Sequence, residues 1–562
     1  MTPQCARRTF LAGVFGTAGA VALGGCSGGG TGPGNAGGTG SAGGRPTVRM
    51  AGGPVGFPSP FGYASALGYY QMSLLYDTLL WKDSTGELLP WLASDYQRSE
   101  DGMSHTFTLR EGLRWSDGRP LTADDVAFTF GYFNQKTLPP QVIAQPRGVA
   151  GARATGERTV QIQLAAPIGT FGEFVAGAVP IVPRHVWEPI GDPARAMDPE
   201  VLVGSGAYRL DSYGGPDRPL AYTARDDYFL GTPFVERIEM IPVGDPLAAL
   251  RAGDVDAGGN METLGGTRPE VLEPFRNDSA FGIVEAPAAM VYPLYFNLGR
   301  GGALADQRFR QACARAINRR NLVERLTGRN GQPGNPGFLP PEHPYHVDVE
   351  QYPYDVAAAD SMLDAAGYRR GGDGMRTGPD GAPLSLPLLT GAPLARAAQL
   401  VAQDLGRAGV QVAPRSMPLG PQLFGPKMMG QFDLAILPYP GPGGTPPTSD
   451  PDQLRMVYSS TLPAPTPTGA AGYTNQRFDQ LAMRQVATPD GPQRRELIAE
   501  MQRIVATDLP LLPLYYSTSH YIFRREAFDQ WYTTPGGFPV DVVNKQAFIT
   551  GRKAGLEIRQ PG

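Results

Sequence analysis

The chain has 562 residues, 41% hydrophobic and 18% charged; at roughly 100 to 200 residues per domain this gives about two to four domains with real cores and excludes a wholly disordered chain. Its 74 Gly and 56 Pro approach the level at which low-complexity disorder becomes the default, so that excess needs a structural reason. A formal net charge of −4 offers no basic footprint and disfavours nucleic acid as a partner.

The first element in chain order reads as an export signal. Arg7 and Arg8 stand before Phe10 and Leu11, and an apolar stretch rich in Ala, Val and Gly then runs to Leu23-Gly24-Gly25-Cys26. An h-region of about fifteen residues is short for a membrane span and is flanked as a signal peptide is. The Arg-Arg-x-Phe-Leu order resembles a twin-arginine signal. Leu-Gly-Gly-Cys resembles a bacterial lipobox, in which small residues suit the peptidase and the Cys26 thiol takes the lipid. Acyl chains at about 0.8 kcal/mol per buried methylene then hold the mature protein on a membrane. Residues 27–46 are a Gly, Ser, Thr and Ala tract, a flexible tether with a reach of roughly 25 Å. Cys5 and Cys26 fall in the export region, which leaves Cys313 alone in the mature chain. It sits on a helical pattern and reads as a small buried apolar residue.

Beyond the tether, short alternating strands and amphipathic helices mix with Gly/Pro turns. Residues 106–110 alternate as a strand, 115–120 read as a turn, and Thr122 is placed to cap a helix that carries Asp124 and Asp125 in its first turn. Residues 159–165 and 235–243 are further strands. Apolar periodicity predicts helices over 307–326, 355–366, 395–408 and 491–507. The whole reads as α/β with more than one sheet.

Several segments in one order carry a resemblance: Leu75-Tyr76-Asp77-Thr78-Leu79-Leu80, Leu89-Pro90-Trp91-Leu92-Ala93, and Thr106 to Gly118 followed by Leu121-Thr122-Ala123-Asp124-Asp125-Val126. Further on come Gly204-Ser205-Gly206-Ala207-Tyr208, Ala252-Gly253-Asp254-Val255-Asp256, Tyr295-Phe296-Asn297, Leu363 to Tyr368 and Pro510-Leu511-Leu512-Pro513-Leu514. Together they resemble the extracytoplasmic solute-binding proteins of family 5, the oligopeptide, dipeptide and nickel class of ABC importers. The resemblance implies a two-lobed periplasmic-binding-protein-like α/β fold of type II, with mixed sheets, a hinge and an interlobe cleft. One lobe would comprise residues 47–287 and 510–562, with an extra subdomain at about 82–200; the other would run over 290–508. The chain would cross between lobes near 291–297 and 511–516. It also implies a monomer that catalyses nothing, needs no cofactor, and delivers a solute, by class default a peptide, to an ABC permease with its cytoplasmic ATPase.

Peptide binders of the class anchor the ligand amine on an Asp shortly after a Gly-Trp pair. Ungapped counting from Phe432-Asp433 puts Tyr439 at the Trp and Pro442 at the Asp, so the amine anchor is missing; Asp450 and Asp452 substitute only if the loop folds back. Aromatic rings without a nearby charge suit a carbohydrate or bulky apolar ligand. Ligand-contact candidates are Phe57, Phe61, Tyr63, Tyr292, Asn297, Tyr439 and Pro442. Arg396, in a loop that corresponds to a ligand-contacting loop of peptide binders, is a candidate partner for a carboxylate. An oligosaccharide or other non-peptide solute, or a regulatory or assembly role in the envelope without transport, are the alternatives. The five His include His343 and His346, but no carboxylate or thiol cluster joins them and no metal site is expected. There is no HExxH, no GxSxG elbow between a strand and a helix, and no Walker A sequence, so catalysis has no support.

Overall fold

The computed structural model describes residues 44–136, 138, 144–215, 217–259, 267–418, 421–439, 450–462, 469–534 and 545–552. Cys26, Arg7, Arg8, most of the tether and Pro442 lie outside the described residues.

Eleven strands form the main sheet. In chain order they are β1 (Thr47–Ala51), β2 (Tyr208–Tyr213), β3 (Leu220–Ala224), β4 (Arg237–Ile241), β5 (Ala257–Gly259), β6 (Phe281–Phe296), β7 (Gly331–Pro333), β8 (Ser385–Gly391), β9 (Gln411–Met417), β10 (Leu434–Ile436) and β11 (Leu511–Arg524). Their spatial order is β9-β8-β10-β6-β11-β5-β1-β4-β3-β2, and β7 pairs with β11. A separate four-stranded antiparallel sheet is built from Ala93–Arg98, Ser104–Leu109, Thr159–Leu164 and Val149–Ala154. On Ser104–Leu109 alternate residues are buried, as a sheet with one face on a core requires.

The helix expected after the turn at 115–120 is Ala123–Gln135. Asp125 does more than favour its dipole: it accepts from the backbone N–H groups of Thr122 and Arg184, each at 3.0 Å. One buried carboxylate thus fixes the helix start against a neighbouring segment. The long helix expected over 307–326 is two, Gln307–Ala316 and Arg319–Leu326. Asn318 makes the break, because its side chain accepts from Asn321 N and its own N–H donates to Asp404 Oδ2, at 3.0 and 2.9 Å. A side chain that caps a new helix offers the backbone an alternative to continuing the old one. The other three predicted helices stand at Val356–Ala365, Ala395–Arg407 and Pro492–Asp508.

Apolar residues gather in separate cores. The first lobe holds the largest, from Val48 through Trp91, Phe130 and Trp187 to Tyr222, Phe523 and Phe548. In the second lobe the sheet is covered on both faces: Tyr292, Leu294 and Phe296 point to one core, Val291 and Tyr295 to the other. Among the described residues, β6 and β11 are the strands that contribute to the cores of both lobes. Along β6 the core changes between Ala286 and Val291, and along β11 between Tyr516 and Tyr521. The crossing therefore falls earlier on β6 and later on β11 than 291–297 and 511–516. The pairing slips there, between Ala286 and Met290, and Ala288 has φ 51. A non-Gly residue in that region costs of order 1 to 3 kcal/mol and persists only where its surroundings enforce it.

The C-terminal helix Lys545–Thr550 is tied to the first lobe by a buried charge. Lys545 Nζ lies 2.7 Å from Asp77 Oδ1, with both side chains almost wholly buried, and 4.2 Å from the Trp81 ring centroid. Trp91 Nε1 donates to the same carboxylate at 2.9 Å. Lys545 also donates to the carbonyls of Ser73 and Tyr76, at 2.9 and 3.3 Å, so its three protons are met, as a desolvated charge requires.

Candidate solute cleft

The lobes meet away from the shared strands at Asn330, whose side-chain amide donates to the carbonyl of Thr267 at 2.8 Å, and at Gly169. Gly169, in the first lobe, donates its N–H to the carbonyl of Val486 at 2.5 Å, just before the end of the second-lobe helix Gln476–Ala487. Around this contact lies a row of charges. Lys82 holds Glu173 at 2.7 Å on the first-lobe side. On the second-lobe side Arg494 holds Asp450 at 2.7 Å and Asp490 at 2.5 Å, and Arg455 holds Asp452 at 2.6 Å. Gln485 links the two second-lobe pairs, donating to Asp452 at 2.5 Å and accepting from Arg494 at 3.1 Å.

Burial pushes the Glu173 carboxyl up to about 7; Lys82 works against that shift and Asp450 adds to it. Burial likewise raises Asp450, although Arg494 opposes it. Burial works to lower Arg494, but Asp450 and Asp490 outweigh it and hold the guanidinium above its ordinary range. Arg147 is lowered by burial and by the like charge of Arg455, with Asp452 opposing. Gly148 sits against Ile168, next to Gly169, so Arg147 borders the same contact.

On the other face of the second-lobe sheet lies a cavity of about 640 Å³, within the size range of small-ligand sites. Asn321, Glu324 and Arg325 of the helix Arg319–Leu326 line it, with Pro393 to Ala397 at the start of the helix Ala395–Arg407, Tyr515 of β11, and Arg268. Arg268 spans 3.2 Å to Glu270. Arg325 and Arg396 are exposed and make no ion pair among the described residues. Three guanidiniums against Glu324 and the Glu270 that pairs with Arg268 leave the cavity net cationic, suited to a carboxylate or another anion.

Of the sequence candidates, the structure brings only Arg396 to this cavity. The aromatic candidates are corrected to packing roles. Phe61 is fully buried, with Phe133 and Trp187 rings each 4.7 Å away. Tyr63 is fully buried, edge-on to Tyr69 at 5.6 Å, and its hydroxyl accepts from Ala144 N at 3.0 Å. Phe57 is buried edge-on to Tyr213 at 5.3 Å. Tyr292 stacks on Tyr515 at 4.5 Å within the hinge strands, and Tyr439 bridges Val291 through backbone bonds while its ring meets Phe338 at 5.2 Å. Asn297 donates to the carbonyls of Gly430 and Phe432, at 2.9 and 2.7 Å. Large rings contribute most when buried on all sides, and here no face is left for a solute. Asp450 and Asp452 are saturated by Arg494 and Arg455, so neither offers a free carboxylate to an amine. Sequence reasoning missed Lys82, Glu173, Arg494, Arg268 and Arg325; single charges tens to hundreds of residues apart carry no local signal.

Among the described residues no group of three or more His, Cys, Asp or Glu is arranged to hold a metal, and no helix is long and apolar enough to cross a membrane. Cys313 is buried, which pushes its thiol well above the ordinary range.

Two lobes joined by a pair of long strands, with charged groups at their contact and a cationic cavity beside the hinge, define a solute-binding protein of the two-lobed class. Residues 87–462 match the family of bacterial extracellular solute-binding proteins, family 5 (middle region), and the chain belongs to that family. It is 25% identical over 521 residues to the dipeptide-binding protein of Escherichia coli strain K12, covering 88% of this chain and 92% of that one. Among solved structures it is similar in fold to NikA from Brucella suis in complex with Fe(III)-EDTA, with TM-score 0.74, 20% identity and coverage of 87% and 98%. The peptide-complexed DppA from Helicobacter pylori gives TM-score 0.71, 18% identity and coverage of 90% and 98%.

Proposed function

We propose that this chain is the solute-capturing component of an ABC importer, held to the outer side of the membrane through a lipid on Cys26 after export directed by Arg7 and Arg8. It takes a peptide whose carboxylate is received by Arg396 together with Arg325 and Arg268. It works as a monomer and without catalysis, passing the solute to the transmembrane permease subunits. In this reading the lobes are residues 47–287 with 510–562, and 290–508, except that β11 up to Tyr516 packs in the second-lobe cores before it enters the first. The carrying observation is the cavity of about 640 Å³ beside the hinge, lined by Arg325 and Arg396, which have no ion pair among the described residues. Membership of family 5 and the dipeptide-binding relative support the peptide class. The oligosaccharide alternative loses its motive, because the rings that would stack on a sugar are packed inside the cores.

A thermal-shift screen tests this with di- to pentapeptides, the same peptides amidated at the C-terminus, and cello- and manno-oligosaccharides. A ligand at a hundred times its Kd adds about 2.7 kcal/mol to stability. Free-acid peptides are expected to stabilise, amidated ones much less, and Arg396→Ala with Arg325→Ala to abolish the difference. Equal response to amidated peptides refutes the carboxylate site, and response to oligosaccharides alone refutes the peptide class.

A further inference from the structure

The cavity beside the hinge is lined from both lobes. Arg268 comes from the first: it precedes the helix Pro269–Arg276, whose Leu272 and Phe275 pack with Leu250 and Phe281 in a first-lobe core. Glu324, Arg325 and Arg396 come from the second. The neighbours of Arg268 keep it at the boundary. The Thr267 carbonyl accepts from Asn330, and Pro269 lies so close to Gly328 that a Cβ on that glycine would come within 2.5 Å of Pro269 Cδ.

The charges around this space do not cancel. Arg325, Arg396 and Glu324 are exposed and have no ion-pair partner among the described residues. Arg268 has Glu270 at 3.2 Å, but those side chains are 58% and 63% exposed, so water screens the pair and a ligand can share the guanidinium. Three guanidiniums against two carboxylates leave one positive charge. The thirteen-residue helix Ala395–Arg407 also starts here with no side chain capping it, which adds the positive end of its dipole. A peptide with neutral side chains is a zwitterion and brings no net charge. With its terminal carboxylate on Arg325 and Arg396 and its ammonium facing Glu324, the excess at Arg268 remains. One further carboxylate on the solute removes it, and a charged group set against its opposite both tightens binding and selects among solutes.

We propose that the solute is a short peptide with an acidic side chain, Glu or Asp, whose second carboxylate is received by Arg268 while the terminal carboxylate rests on Arg325 and Arg396 and the ammonium on Glu324. This rests on the reading of the cavity as a peptide-carboxylate site and specifies which peptides it takes. Because Arg268 belongs to one lobe and Arg325 and Arg396 to the other, the acidic peptide bridges the lobes through its two carboxylates, a link that its side-chain amide cannot make.

Isothermal titration of the purified protein compares Ala-Glu and Glu-Ala with their side-chain amides Ala-Gln and Gln-Ala, and with Ala-Lys. At least one acidic peptide is expected to bind about tenfold or more tighter than its amide, with Ala-Lys the weakest of the set. In Arg268→Ala, with circular dichroism to verify folding, that acidic peptide and its amide should fall within about threefold of each other, while Arg268→Lys, which keeps the charge but not the fork, should retain part of the preference. Equal affinity for the acidic peptides and their amides overturns the proposal, as does a full preference surviving in Arg268→Ala. Either failure, with free-acid peptides still bound better than those amidated at the C-terminus, leaves the peptide-carboxylate reading standing; binding of no peptide at all overturns both.

Discussion

Gly169 and Val486 meet through a 2.5 Å hydrogen bond between backbone groups, and a Cβ on Gly169 would come within 2.7 Å of the carbonyl oxygen of Thr488. The approach depends on the absence of a side chain and not on a special backbone angle. Gly169→Ala is therefore expected to hold the lobes apart while leaving each lobe intact. Isothermal titration with the peptide found by screening should show affinity reduced about tenfold or more, equivalent to roughly 1.4 kcal/mol. The solute-free melting temperature should be little changed; a large fall in it would mean that the residue serves lobe stability instead.

Lys545 and Asp77 form an ion pair with 1% and 0% side-chain exposure. Removing one partner of such a pair leaves an uncompensated buried charge and costs about 3 to 5 kcal/mol. Lys545→Met should lower stability by that order in urea unfolding. Adding Asp77→Asn should recover part of the loss, because the stranded charge goes with it. If the double variant is no better than the single, the pair is not the source of the effect.

His105 is pressed between rings, 3.9 Å from Phe171 and 5.7 Å from Tyr96, and burial lowers its pKa to about 4. The unfolded imidazole titrates near 6.5, so the unfolded chain binds the extra proton first. Its contribution to stability is thus present above about 6.5 and is lost as the pH falls towards 4. Melting temperatures between those limits should decline less steeply in His105→Phe than in the wild type. An unchanged slope would mean that the carboxylates alone govern the acid side.

Cys26→Ser removes the thiol on which the proposed lipid is carried. Fractionated cells should show the variant in the soluble extracytoplasmic fraction and the wild type on the membrane. Retention of the variant on the membrane would sink the lipid anchor. Replacing Arg7 and Arg8 by Lys should hold the precursor inside if export uses the twin-arginine route.

The sequence by itself determined the export signal and tether as expectations, the family, and the two-lobed α/β class, because each is written in local order: charge before apolar run, capping residue before helix, motif after motif. Helix positions at 356–365, 395–407 and 492–508 were legible because apolar periodicity is a property of neighbours along the chain. The break at Asn318 was not, since it needs Asp404 to receive its N–H. The cleft was the least legible part. Glu173, Asp450, Arg494, Arg325 and Arg268 are ordinary surface-type residues in sequence, and only the crossing of β6 and β11 sets them at a shared contact or cavity. The same tertiary packing withdrew Phe57, Phe61 and Tyr63 from the site. A ring's chemistry is local, but whether its face meets solute or core is decided by which distant side chains arrive against it.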